Sequence, residues 1–199
     1  MEPNPAEPRP TLVTALTVAG GVLVLVSGFL AWFELTGQGG TVDLKGTDLT
    51  MGLAAIVMAI VAVVCGIMIW ARAAKTGGKA WAVTAIVLGA LLAFIGANAS
   101  FAPESALTTF EASAVAEQLG VSEAVAEAAL EQAFASGTLS AKAKIGSYVA
   151  LLGGALMLIG GILGIGFAKR RRAALAAAPG PTPAPGTPPA PGTPPTPSQ

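Results

Sequence analysis

The chain has no histidine, a single cysteine and few charges of either sign. With Cys65 alone and no imidazole, it cannot assemble a Cys/His zinc, haem or iron–sulfur site, and no disulfide can close within it. Thiol oxidase chemistry, which runs on cysteine pairs, is excluded for the same reason. Charged residues make up 11% of the sequence, against about 25% in soluble domains, which places the chain in the membrane class. Its cations lie at the borders of apolar runs rather than along one soluble face, which argues against a nucleic-acid partner. None of the long apolar runs contains Asp, Glu, Lys, Arg or His. Charge inside the membrane is the usual mark of an ion path or proton relay, so coupled transport is disfavoured. Ser27 and Ser147 lack a neighbouring base within the membrane, so neither is set up as a nucleophile. The expectation is a protein that is not an enzyme, with no cofactor and no metal.

What the sequence has in quantity is apolar length. Ile145 to Ala168 runs without charge or proline into Lys169, Arg170, Arg171 and Arg172. At about 1.5 Å per residue it reaches roughly 36 Å, enough to cross a hydrocarbon core of about 30 Å. Three further runs, 11–33, 51–71 and 80–99, complete an expected all-α membrane protein, a four-transmembrane-helix bundle. The first run is too long for a signal-peptide core and reads as a retained anchor. Short loops rich in Lys and Arg stay in the cytoplasm. Eight cations (Arg9, Arg72, Lys75, Lys79 and Lys169 to Arg172) then lie inside and three (Lys45, Lys142, Lys144) outside. This predicts a multi-pass plasma-membrane protein with both termini cytoplasmic. Trp32 and Phe33, Trp70, Trp81 and Tyr148 fall at the expected interfaces, where amphipathic rings belong. Lys142 and Lys144 sit beside the membrane on the wrong side and are the main local conflict.

Between the spans, loops 34–50 and 100–144 form an expected extracytoplasmic cap. Alternating apolar positions in Trp32–Thr36 and Thr41–Lys45 around Gly37-Gln38-Gly39-Gly40 predict a small hairpin. A lone ribbon is marginal in water, so it needs the membrane surface or the second loop as support. In the second loop, Pro103 with Glu104 opens a helix, Gly120 ends it, and Ser122 caps another that runs to about Gly137. Leu107, Phe110 and Ala114 share one face of the first arm, and Val121, Val125 and Ala129 one face of the second. The proline-rich ends, 1–10 and 173–199, cannot build a core and are expected to be disordered or polyproline II.

Lipid is as apolar as leucine, so spans associate through close backbone packing. Gly146, Gly153 and Gly160 recur every seven residues in the last span, with Gly154 and Gly161 beside them and Gly164 completing a small-xxx-small pair. Such a seam serves packing within one bundle or a dimer face. Polar candidates are few. Glu34, at the outer end of the first span, reads as a partner or cation ligand or as a plain solvated carboxylate. Glu123, Glu127 and Glu131 line one helical face, where like charges cost a few tenths of a kcal/mol per pair unless a divalent cation or a basic partner offsets them. Calcium wants about six to eight oxygens from a loop that wraps it, and a straight helix offers fewer.

A first run ending in Trp32-Phe33, a short loop ending in Gly46-Thr47-Asp48-Leu49, and Tyr148 leading into Gly153-Gly154 and Gly160-Gly161 resemble the small four-span proteins of actinobacteria, some called tryptophan-associated membrane proteins. The resemblance covers about Thr11 to Arg172. It implies a four-span plasma-membrane protein and carries no catalytic signature. The functional expectation is an accessory or scaffold protein that contacts a membrane or extracytoplasmic partner, or a second copy of itself, through the helical loop and the bundle surface. The alternative is a component of a transporter or channel for an apolar or neutral solute.

Overall fold

The chain is described here by a computed structural model over residues 10–72 and 78–177. Residues 1–9 of the expected proline-rich arm, residues 73–77 of the basic connection between Arg72 and Lys79, and the tail beyond residue 177 lie outside the described residues, as does the Trp70 side chain. Six α-helices and three strands follow in the order α1 (Pro10–Ser27), β1 (Ala31–Gly37), β2 (Gly40–Lys45), α2 (Thr50–Arg72), α3 (Gly78–Phe101), α4 (Pro103–Leu119), α5 (Glu123–Ala135), β3 (Leu139–Ala143) and α6 (Ile145–Ala177). A 3-10 turn at Gly46–Asp48 precedes α2.

Among the described residues, three helices contain segments long and apolar enough to cross a membrane: Thr50–Ile69 in α2, Ala80–Phe101 in α3 and Ile145–Gly166 in α6. The apolar part of α1, Thr11–Ser27, is shorter. α6 packs between α1 and α3, and α2 closes the ring by touching both. The inward faces are built from small residues, such as Ala55, Ala59 and Ala62 on α2 and Ala82 and Ala85 on α3. Large side chains point out, among them Val57, Ile60 and Val64 on α2 and Val87, Leu91 and Phe94 on α3. That arrangement inverts a water-soluble core and suits helices whose surroundings are hydrocarbon.

The expected glycines lie at these helix contacts. A Cβ on Gly153 would stand 2.6 Å from the Gly20 carbonyl oxygen, and one on Gly160 would stand 2.6 Å from Thr17 Oγ1, so this pair faces α1. The neighbouring pair faces α3: Gly154 lies against Ala93 and Gly161 against Ile86. Gly164 touches Ala82 and Val13, while Gly146 packs under Trp32 and Ala31 of β1. Two adjacent glycine rows thus let one helix approach two others at backbone distance.

Several expectations need correction. The chain is mostly helical, not all-α: β1 lies at the centre of a three-stranded antiparallel sheet, ordered β2-β1-β3. The hairpin is closed at Gly37 opposite Gly40. Its support comes from the second loop, whose β3 pairs with β1 from Phe33↔Ala143 to Gly37↔Leu139. The first apolar run does not stay helical to residue 33. α1 ends at Ser27, and a tight turn carries Leu30 N–H onto the Ser27 carbonyl before the strand begins. Trp32 and Phe33 are not interfacial rings but fully buried. The register slips between Ala31 and Phe33, and such a bulge lets two consecutive side chains both turn inward. Phe29, Phe101 and Tyr148 are instead exposed aromatics at this end of the bundle. α6 continues to Ala177, past the residue 173 at which the tail was expected to begin. In the second arm, Val121, Val125 and Ala129 do not face the core; on α5 Ala126 is buried, with Leu130 and Phe134 partly buried.

Candidate functional site

The cap is fixed to the bundle by Trp32. Its indole N–H donates to the Ser27 carbonyl at 2.8 Å, the last carbonyl of α1, which the Leu30 N–H also reaches. The ring lies against Gly46 on one side and Gly146 on another, where any Cβ would approach it within 2.8 Å. One side chain therefore joins the end of α1, the 3-10 turn and the start of α6. The Trp32 carbonyl accepts the Lys144 backbone N–H at 2.8 Å, which sets β3 and α6 in register with β1.

A second junction comes from Glu111 on α4, a residue with 8% exposure. Its Oε2 accepts the Thr50 N–H and its Oε1 the Met51 N–H, both at 3.0 Å. These are the first amides of α2, which have no partner within the helix, and a carboxylate suits the positive end of the helix dipole. A side chain about sixty positions away in sequence thus caps a membrane-length helix and ties the hairpin to it. Glu111 was not among the expected site residues. Its signal was present: it shares the face of Leu107 and Ala114 at i, i+4 and i+7, a carboxylate on an otherwise inward stripe.

The hairpin itself is made by Gly120, whose φ of 66° ends α4 in the left-handed conformation and lets its N–H reach the Ala116 carbonyl. Ser122 takes the N-cap position of α5, but its hydroxyl makes no capping bond.

Glu34 is held inside the cap. It lies opposite Asp43 on β2 and Lys142 on β3. Lys144 reaches over this row, pairing with Glu34 and standing 3.7 Å from Asp43. The Lys144 hydrogen bond and charge hold the Glu34 carboxyl below its usual range, and the Glu34 hydrogen bond raises the Lys144 ammonium above its own. The cation that looked misplaced in sequence therefore answers two carboxylates that the sheet brings face to face. Glu123, Glu127 and Glu131 remain exposed on α5. Among the described residues no group of three His, Cys, Asp or Glu side chains is placed to hold a metal ion.

Between the sheet and the hairpin lies a cavity of about 320 Å³. Leu35, Leu44 and Leu139 line it from the three strands, and Leu107, Leu130 and Phe134 from the two helices. Two carboxylates, Asp48 and Glu111, complete the wall. Asp48 is exposed and accepts the Lys45 N–H at 3.0 Å. Chemically this is an apolar pocket with anionic groups at its margin, suited to an apolar group adjoining a cation. Compared with protein-family models, with curated proteins and with solved structures, the chain matches none.

Proposed function

We propose that the chain is an accessory or scaffold protein of the plasma membrane, acting through its cap by protein–protein contact. In this proposal α1 is a fourth span, seated through Gly20 on Gly153 of α6, and the whole resembles the small actinobacterial four-span proteins. The cap faces outward and both termini lie in the cytoplasm, because eight of the eleven cations belong to the segments at the far end of the spans.

The observation that carries the proposal is the outer surface of the hairpin. Leu119, Val121 and Val125 are 66%, 41% and 56% exposed at the turn between α4 and α5. Apolar side chains grouped on the water-facing part of a cap mark a contact surface. Close backbone approach at the glycines between α6 and its neighbours α1 and α3 supports the same reading. The test is to place a photo-crosslinking residue at position 121 or 125 of the full chain in its native membrane. A partner captured at constant stoichiometry from these positions, and not from a lipid-facing control such as Ile60, is the expected outcome. Capture of nothing, together with solute flux by the purified chain in liposomes, would overturn it in favour of a transport component.

A further inference from the structure

The pocket between the sheet and the hairpin has a rim that the function above does not use. Leu130 and Phe134 form its α5 wall. Glu127 and Glu131 stand three residues before each of them and four residues apart, so the two acids run along the same strip of the helix as the wall. Both are exposed, and no ion pair involves them among the described residues. With Glu123 the acidic row extends about 12 Å along the axis, well past one ligand head group. Asp48 and Glu111 add carboxylate to the wall itself. The cap as a whole carries nine acids (Glu34, Asp43, Asp48, Glu104, Glu111, Glu117, Glu123, Glu127 and Glu131) against Lys45, Lys142 and Lys144, and Lys144 is already engaged.

We infer that this pocket takes a large apolar side chain from a basic segment of a partner polypeptide, with the flanking lysines or arginines of that segment paired to Glu127, Glu131 and Asp48. The inference rests on the accessory reading above and names the chemistry of its partner. Volume and charge select the occupant together. The cavity of about 320 Å³ is of the size that admits one bulky side chain or a small ligand. The acidic row continuing beyond it along α5 asks for several cations in sequence, which a peptide supplies and a single small amphiphile does not. Opposed charges of this kind steer the encounter and set the register, while the buried apolar group supplies most of the affinity.

The experiment uses the full chain in nanodiscs of zwitterionic lipid. The probes are short synthetic peptides in which one tryptophan or one leucine is flanked by lysines or by arginines. Saturable binding is expected, weakening with added salt. Two variants should each reduce it about tenfold or more: Ala114→Phe, which fills the pocket, and Glu127→Lys with Glu131→Lys, which reverses exposed charges without touching the core. Peptides with glutamate in place of the basic residues, or alanine in place of the apolar one, should not bind. No binding by any basic peptide would overturn the inference. So would binding that both variants leave unchanged, or equal binding of the glutamate peptides, which signals adsorption to lipid. A partner crosslinked at Val121 with no peptide effect at the pocket would sink this inference alone. Failure at both sites would take the accessory reading with it.

Discussion

The bundle and the cap solve opposite packing problems with one chain. In the bundle, small residues face inward and large ones face out, so helices meet backbone to backbone and valine, isoleucine and leucine are left on the outside, an arrangement that suits lipid. In the cap the order is the familiar one for water. Trp32, Phe33, Leu49 and Leu107 are buried, while the acids of α5 are exposed. The difference teaches where each half draws its stability. The bundle depends on contact distance between main chains, and the cap on apolar burial plus a few polar locks. Trp32 and Glu111 belong to both halves, since each lies in the cap and satisfies a backbone group at a helix end of the bundle.

The comparison breaks most sharply at the glycine rows. Gly153→Leu with Gly160→Leu should cost above about 3 kcal/mol, because the new side chains meet α1 backbone that cannot yield. Loss of monodisperse protein in mild detergent is the expected result, whereas Gly166→Leu, with nothing within 4 Å of its Cβ, should behave like the parent. Equal behaviour of the two would mean the bundle does not depend on close approach. Trp32→Ala comes next, at about 3–5 kcal/mol, from the loss of a buried ring and of its hydrogen bond to the Ser27 carbonyl. Hydrogen exchange should then rise through β1, β3 and the first turn of α6 while the middle of α3 stays protected. Uniform exposure of both halves would show that cap and bundle unfold as one unit.

Glu111→Ala should be milder, about 1–3 kcal/mol, since it frees the Thr50 and Met51 amides. Faster exchange at those two amides, with Glu111→Gln in between, is the signature to look for. The smallest effect belongs to the Glu34–Lys144 pair. The Glu34 carboxyl is lowered in the folded chain, so its contribution is present above the usual glutamate value of about 4.3 and is lost as pH falls through the lowered one. The Lys144 ammonium is raised, so its share is present below about 10.4 and is lost as pH rises through the raised value. Lys144→Met should therefore melt slightly below the parent at neutral pH, with the gap closing in acid. A gap that persists unchanged at low pH would remove the pair from the account.

Much of this architecture was legible from composition and spacing because the signals are local. Proline at 103 and glycine at 120 delimit α4, the alternation around Gln38 and Gly39 gives the hairpin, and the seven-residue glycine repeat marks the face of α6 that meets α1. The candidate site was less legible. Glu111 and Asp48 become neighbours of one pocket only when the hairpin folds over the sheet, and Glu34 acquires its partner only when β3 joins β1. Helix periodicity also misassigned one face of α5. Val125 and Ala129 repeat at helical spacing with Val121, yet Ala126 is buried and Leu130 and Phe134 turn toward the leucines of the sheet, which present the larger apolar side chains.

By itself the sequence determined the membrane-length apolar helices, the small-residue rows that let them approach, and the absence of His/Cys metal chemistry. Each of these depends on residue type and on spacing along a single element. Only the tertiary structure decided that Trp32 is a buried clasp, that the cap contains a third strand, and that Glu111 holds the start of α2. Those outcomes depend on contacts between residues tens to more than a hundred positions apart. Such contacts form where a glycine gap, an unpaired strand edge or an uncapped helix end finds the one side chain or strand within reach.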